Sequence, residues 1–435
     1  MIVLIDTIFL INLSEFFESI SISNMLLFSI IPLTVELGRT LVELNILSIY
    51  KIKRSKQIKK YSNYHFNPKI SVVIPAHNEE EYIEGMIESI LSCSYLNKEI
   101  LVVDDGSTDN TQKIVKKYVE KNLVYLFHHD IPMGSKPTAL NPFFDYATGD
   151  ILVIVDADSV MDKNALNKIP KYFEDKDVVA VSGHVKIGSG DKNINNILVE
   201  LQKYEYHQAN ELGRKLASIF NIMNGMTGAF LIIRRDAFEK IGRFNEDIKA
   251  EDLDITLKLR KLAGKILFAE DAVVYTFCPN NLKSFVKQRL YWAEGEVVSI
   301  LKHRNIIRDP DYLSRTKIAF MDFSFTEIVL SYAAMLYMPI LAWLFFSEMK
   351  IEFLGLLAIY LILQSVNFFY VTNSSDSRNF KSFFYMIPLL LFFYGPLTRI
   401  LRVIGFTKII SSLLYKKISR HFSSIFSSNS NLVKI

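Results

Sequence analysis

Ile151-Leu152-Val153-Ile154-Val155-Asp156-Ala157-Asp158 is the stretch of this chain on which a fold can be read. Five apolar, mostly β-branched residues run without alternation and stop at two carboxylates. A run this short, apolar on every residue, fits a strand buried on both faces, as in a parallel sheet covered by helices. Two upstream stretches repeat the pattern: Ile70–Pro75 (ISVVIP) and Ile100–Asp104 (ILVVD), each emptying into a polar loop. Helical sequence lies between them at Glu79–Leu91 and Asn110–Val119. Strand, helix and strand in this order predict an α/β domain with crossover helices.

The strand ends carry the chemistry-bearing residues. In an open α/β sheet, ligands bind in the crevice beyond the carboxyl ends of the strands. Asp156 and Asp158, two residues apart, can face that crevice together and hold a hard divalent cation of the kind that stabilises a departing diphosphate. They can equally cap the next helix. Pro75-Ala76-His77-Asn78-Glu79-Glu80 and Asp104-Asp105-Gly106-Ser107-Thr108-Asp109 follow the other two strands. The second of these loops is a good turn and helix cap by itself. Capping alone does not readily explain three acidic loops at one edge.

Composition bounds the rest. The chain has 435 residues, half of them hydrophobic, and a net charge of +4. That charge, with no basic stripe among aromatics, gives no basis for a nucleic-acid partner. Two cysteines, Cys93 and Cys278, form neither a metal nor a redox motif, and suit a reducing compartment. The apolar surplus is concentrated at the two ends. Ile22–Tyr50, Phe323–Phe346 and Phe353–Thr372 are long enough to cross a bilayer. Phe383–Phe406 is interrupted by Gly395-Pro396, Arg399 and Arg402, which favours a re-entrant or interfacial segment. The basic run Lys51, Lys53, Arg54, Lys56, Lys59, Lys60 places the adjoining domain in the cytosol. No cleavable leader is expected, because Asp6 and Glu15 stand where a basic region should precede the apolar stretch. The expected organisation is an N-terminal membrane segment and linker (1–60), a globular domain (61–308), a C-terminal transmembrane region (309–410) and a tail (411–435).

The stretches SVVIPAHNEE (71–80), LVVDDGSTDNT (101–111), SKPTALN (135–141) and VIVDADS (153–159) stand in the order and spacing of family 2 glycosyltransferases of the GT-A fold. NGMTGAFLIIRRDAFEKIGRFNEDI (224–248) resembles that family's acceptor-side segment. AEDLDITLKLR (250–260) resembles its ED-x-D motif, and QRLYWAEGE (288–296) its Q-x-x-R-W motif. With LQKYEYHQANELGRK (201–215), the chain looks most like the subgroup that builds poly-N-acetylglucosamine, chitin oligosaccharides or hyaluronan. This many ordered motifs make a specific signal where one would be weak.

The resemblance implies a GT-A domain flanked by N- and C-terminal transmembrane helices in the cell membrane, with its catalytic part cytosolic. It implies that Pro75, Ala76, Glu79 and Asp104 or Asp105 hold a uridine, that Lys136 lies near the nucleotide or diphosphate, and that Asp156 and Asp158 bind sugar, ribose and a Mg²⁺ or Mn²⁺ ion. Glu251-Asp252 supplies the catalytic base, with Asp252 preferred, and Gln288 and Trp292 meet the acceptor. The implied reaction is inverting transfer from a UDP-sugar, with N-acetylglucosamine preferred, to a β-linked polysaccharide. The alternative is single transfer to a membrane lipid. Membrane lipids and either a small membrane subunit or further copies of the chain are the implied partners.

One motif departs from the family. Tyr291 stands where the family has an arginine that pairs with the donor diphosphate, and a phenol cannot replace that charge-assisted contact. Arg289 is close in sequence but points about 200° away on a helix. This puts processive polymerisation in doubt more than sugar transfer. Trp292 can alternatively be an interfacial anchor. Asp254 is read as orienting its loop or capping the helix that follows. Glu36, Arg39 and Glu43 share a helix face and are read as paired. His128-His129 is read as surface, and Tyr204 and Tyr206 as packing or acceptor contacts. A catalytically silent membrane subunit is the rival from another class, but Asp156, Asp158, Glu251 and Asp252 are all present. No G-x-G-x-x-G loop follows the first strand, which excludes a dinucleotide oxidoreductase.

Overall fold

The structure, a computed structural model, describes residues 38, 41–50, 66–188, 196–335, 350–373 and 386–429. An eight-stranded sheet organises the domain, in the order β3-β2-β1-β4-β7-β6-β8-β5. The strands are β1 Ile70–Ala76, β2 Lys98–Asp104, β3 Tyr125–His128, β4 Ile151–Val155, β5 Ser159–Met161, β6 Val178–Ile187, β7 Phe230–Arg234 and β8 Lys265–Thr276. The four strands β3-β2-β1-β4 are mutually parallel. β7 is antiparallel to both β4 and β6, while β8 runs parallel to β6.

The unalternating apolar runs have the predicted cause. Val72, Ile74, Val153 and Val155 enter one core, and Val73, Leu152 and Ile154 enter the core on the other face. The chain leaves β1 toward β2 and β3, then returns to lay β4 on β1's other side. β1 and β4 therefore flank a topological switch point, where a crevice opens beyond the strand ends.

Helix α1 (Ile83–Ser92) starts later than the sequence suggests, and α2 spans Thr111–Val119. The reason is local: Asn78 adopts φ 57°, and residues 78–80 bond to the loop after β2 instead of continuing into a helix. Farther along lie α3 (Lys136–Leu140), α4 (Ile197–Gln208) with a π-helical turn at Ala209–Arg214, α5 (Glu251–Arg260) and α6 (Leu282–Lys302).

Two stretches, Ser314–Met335 and Met386–Lys416, are helical, long and apolar enough to cross a membrane. The second is unbroken at Gly395-Pro396, where a re-entrant or interfacial segment was expected. A π-helical turn at Leu390–Tyr394 precedes the proline and accommodates its missing donor, and helix resumes over Gly395–Asn429. Lys350–Asn373 is a further helix. At the N-terminus Leu41–Tyr50 is helical, while residues 1–37, Arg39 and the basic run at 51–60 lie outside the described residues.

The sheet tolerates little extra volume where β6 crosses β7. A Cβ added to Gly183 would sit 1.9 Å from Phe230 Cδ1, and Phe230 is fully buried. Gly183→Ala should cost about 1–3 kcal/mol by overpacking, read as a lowered melting temperature of the detergent-solubilised protein.

Candidate active site

The loops after β1 and β2 are built as one unit. Asn78 Oδ1 accepts from Thr108 N at 2.8 Å, Glu79 N donates to Thr111 Oγ1 at 2.8 Å, and Glu80 Oε2 accepts from Asn110 N at 2.9 Å. Gly106 has φ +68°, and a Cβ there would meet Pro132 N at 2.7 Å, so this turn needs glycine. Much of the polar sequence in these loops is thus used for mutual bonding. Asp104 belongs to that framework: it is buried and accepts from Ser107 N at 3.2 Å.

Other candidates converge. Pro75, Ala76, Glu79, Asp105, Lys136, Asp156 and Asp158, with His77, line one cleft of about 280 Å³ beyond β1 and β4. Of the two acids after β2, Asp105 reaches the cleft while Asp104 turns inward. Lys136, at the start of α3, is at the centre. Its Nζ lies 2.5 Å from Asp156 Oδ1, 3.7 Å from Glu251 Oε1 and 3.1 Å from the Gly228 carbonyl oxygen. Burial alone would lower its pKa, yet Asp156 and Glu251 hold it above the ordinary lysine value.

The carboxylates are pushed the opposite way from surface acids. Burial raises Glu79 to about 7, assisted by Asp158 and Asp156. Burial and the charge of Asp156 raise Asp158 to about 6, partly offset by Lys136. Crowded carboxylates that repel one another in a cleft favour a bound cation.

Glu251 and Asp252 open α5. Asp252 Oδ2 accepts from Gly228 N at 3.0 Å and Oδ1 from Leu253 N at 2.7 Å, so the carboxylate is fixed by two backbone donors. Burial raises the pKa of both acids, while Lys136 opposes the shift. Asp254 faces away from this work: it is buried and holds Asn245 Nδ2 and His303 Nε2, each at 2.7 Å.

Helix α6 brings the remaining candidates. Tyr291 feels the charges of Glu251, Asp252 and Lys136, so the phenol lies near these three groups. Arg289 goes elsewhere, making a two-pronged pair with Glu205 at 2.7 and 2.8 Å and stacking 4.6 Å from the Trp292 ring. Trp292 is 41% exposed. Gln288 Oε1 is buried without a hydrogen-bond partner.

Two cations escaped the sequence reading. Lys249 Nζ lies 5.6 Å from the Tyr291 ring centroid, and the Tyr291 hydroxyl donates to the Lys249 carbonyl at 3.2 Å. Arg214, on the π-helical turn, is close enough for its charge to lower the pKa of Asp252. The proximity of Lys249 to the ED-x-D stretch was the available signal for the first; Arg214 had none, because a π turn is not legible in composition. A third group, His184, His207 and Glu211, can coordinate a divalent metal: its ligand atoms lie within 4.8 Å of one another. None of these three lines the cleft.

Residues 71–242 match Glycosyl transferase family 2. That stretch, from β1 through β7, is similar to the family. Among curated relatives, the poly-β-1,6-N-acetyl-D-glucosamine synthase of Staphylococcus aureus (strain COL) is 28% identical over 249 residues, covering 57% of this chain and 58% of the relative. The Staphylococcus epidermidis enzyme of the same name is 27% identical over 241 residues, covering 55% and 56%. The match thus spans somewhat over half the length of these relatives. Among solved structures, mannosyltransferase PcManGT from Pyrobaculum calidifontis, in complex with GDP-Man and Mn²⁺, superposes with a TM-score of 0.59 at 21% identity, over 88% of this chain and 98% of that one. This is a likeness of fold. The α/β GT-A-like architecture expected from the motifs therefore stands.

Gly228 offers a direct probe of the transferase site. A Cβ added there would lie 3.0 Å from Asp252 Oδ2, displacing the carboxylate from its N–H donor. On the function proposed below, Gly228→Ala should lower kcat by about tenfold to hundredfold while leaving UDP affinity near wild type by calorimetry.

Proposed function

We propose that this chain is an inverting, metal-dependent membrane glycosyltransferase that moves sugar, N-acetylglucosamine by preference, from a UDP-sugar to the end of a growing β-linked polysaccharide. The observation that carries the reading is the Lys136 ammonium bridging Asp156, in the cleft at the switch point, to Glu251, beside the backbone-fixed Asp252. Donor-side and acceptor-side acids are thereby set next to each other.

The uridine would lie against Pro75, Ala76, Glu79 and Asp105. Asp156 and Asp158 would hold the cation, and their repulsion and raised proton affinity fit a divalent ion. Bound Mg²⁺ or Mn²⁺ would neutralise charge developing on the diphosphate. Asp252 would remove the proton of the acceptor hydroxyl, a weak nucleophile until deprotonated. Direct displacement at an α-linked donor then gives a β-linked product. Lys136 offsets the charge of Asp156 and Glu251, while Trp292 would present its exposed ring to the incoming sugar and Gln288, whose Oε1 is buried and unpartnered, would lie behind it on α6. Lys249, beside Tyr291, would supply the cation that the motif lacks.

The two apolar helices support an integral membrane protein, and the basic run at 51–60 is the argument for a cytosolic catalytic domain. Domain limits of 61–308 for the transferase and 309–410 for the C-terminal membrane region accompany this reading. Transfer to a membrane lipid is the second reading, favoured specifically by Tyr291 in place of arginine.

Purified protein given Mn²⁺ and radiolabelled UDP-sugars should yield a product ladder from one donor; a single lipid-extractable product would select the second reading. Asp252→Asn should reduce turnover by about 10²–10⁴-fold with UDP binding retained, and persistent turnover would remove Asp252 as base. Because a base works only when deprotonated and burial raises both Glu251 and Asp252, activity should fall with acid below an inflection well above the ordinary carboxylate value of about 4. An inflection near that ordinary value would contradict the buried base. Tyr291→Arg should lower the donor KM, whereas Lys249→Gln should raise it.

A further inference from the structure

We infer that His184, His207 and Glu211 form a structural site for a borderline transition metal of the Zn²⁺ class, separate from the donor cleft. His184 lies on β6, His207 in the last turn of α4, and Glu211 on the π-helical turn that follows. Their ligand atoms all fall within 4.8 Å of one another, and the residues are 3%, 7% and 3% exposed.

The hydrogen bonds choose the tautomers. His184 Nδ1 is 2.8 Å from the Glu270 carbonyl oxygen, and His207 Nε2 is 3.0 Å from the Val371 carbonyl oxygen. A carbonyl only accepts, so the protons sit on Nδ1 and Nε2 respectively. The lone pair of His184 is left on Nε2, and the unprotonated nitrogen of His207 is Nδ1. Backbone carbonyls on the distal nitrogens are the usual means of orienting metal-bound imidazoles.

A second observation points to a ligand: His184 Nε2 is buried without a hydrogen-bond partner. Lys215 Nζ pairs with Glu211 Oε2, and lies 3.2 Å from the Glu270 carboxylate. A carboxylate has two oxygens, so this ion pair leaves Glu211 Oε1 for a cation. Two imidazoles with one carboxylate suit Zn²⁺, Co²⁺ or Fe²⁺ better than Mg²⁺, which prefers oxygen. Such an ion would fasten β6 to α4. Because the orienting carbonyl of Val371 belongs to the helix Lys350–Asn373, it would also depend on the seating of that helix.

The test uses the full chain in detergent, stripped with chelator and then dialysed against Zn²⁺ or Co²⁺. About one tightly held equivalent per chain is expected by mass spectrometry. Co²⁺ should give visible ligand-field bands of low coordination number, and Zn²⁺ should raise the melting temperature. His184→Gln and Glu211→Gln should each lose the metal and the thermal shift. Asp156→Asn with Asp158→Asn should keep both while losing Mn²⁺-dependent UDP binding, which separates this site from the transferase site. Absence of bound Zn²⁺ and Co²⁺ in the wild-type chain would overturn the proposal. So would unchanged binding in the His184→Gln and Glu211→Gln proteins. Should either variant fail to fold, the wild-type Co²⁺ spectrum decides: bands of a six-oxygen aquo-like site count against it.

Discussion

The constraint on which the site rests is the placing of four carboxylates, Asp156, Asp158, Glu251 and Asp252, around one ammonium group. Lys136 is within 4 Å of two of them. Acids buried this closely repel one another, and a folded protein must neutralise them by protonation, by a cation or by a fixed donor. All three remedies are visible: raised proton affinity at Asp158, Lys136 between Asp156 and Glu251, and the Gly228 and Leu253 N–H groups on Asp252. The site is therefore held short of positive charge, the condition that favours a bound cation.

The supporting structure keeps that arrangement rigid. β1 and β4 end side by side because the chain doubles back at the switch point, and the loops beyond β1 and β2 bond to each other rather than to water. Gly228 permits Asp252 to approach the backbone, and Gly295 does the same for α6, where a Cβ would lie 2.8 Å from the Ala250 side chain. This close approach fixes α6 against the residue before Glu251.

How much of this was legible in the sequence follows from the range of each interaction. The parallel strands and the acids at their ends were readable, because a doubly buried strand and its polar loop are local patterns. The antiparallel β7, the pairing of β6 with β8 and the inward turn of Asp104 depend on contacts made far along the chain. Asp104 and Asp105 are adjacent and chemically identical; only the positive φ of Gly106 and the Ser107 contact decide which one reaches the cleft. His207 and Glu211 stand four residues apart on a helix, a spacing visible in sequence. Their partner His184 is on a strand, so no spacing rule connects it to them. Gly395-Pro396 does not interrupt the helix, because a π turn absorbs the proline, and the sequence carried no sign of that turn.

The same logic explains why charges persist where the catalytic domain meets the apolar helices. Arg402, within Met386–Lys416, reaches Glu327 of Ser314–Met335 at 2.5 Å and Glu296 of α6 at 3.6 Å. Glu205 binds both Arg289 and the Tyr394 hydroxyl, joining α4, α6 and the same apolar stretch. Ion pairs removed from water add little net stability, since desolvation offsets attraction, but removing one partner is costly. They are satisfied in only one register of the helices. Where Gly405 meets Ala293 the backbones already approach closely, with a Cβ at 2.7 Å, so sliding by one turn would break the packing and strand three charges together. Register between α6 and the long apolar helix is thereby tied to the position of Trp292 and Tyr291, and through them to the acids that open α5.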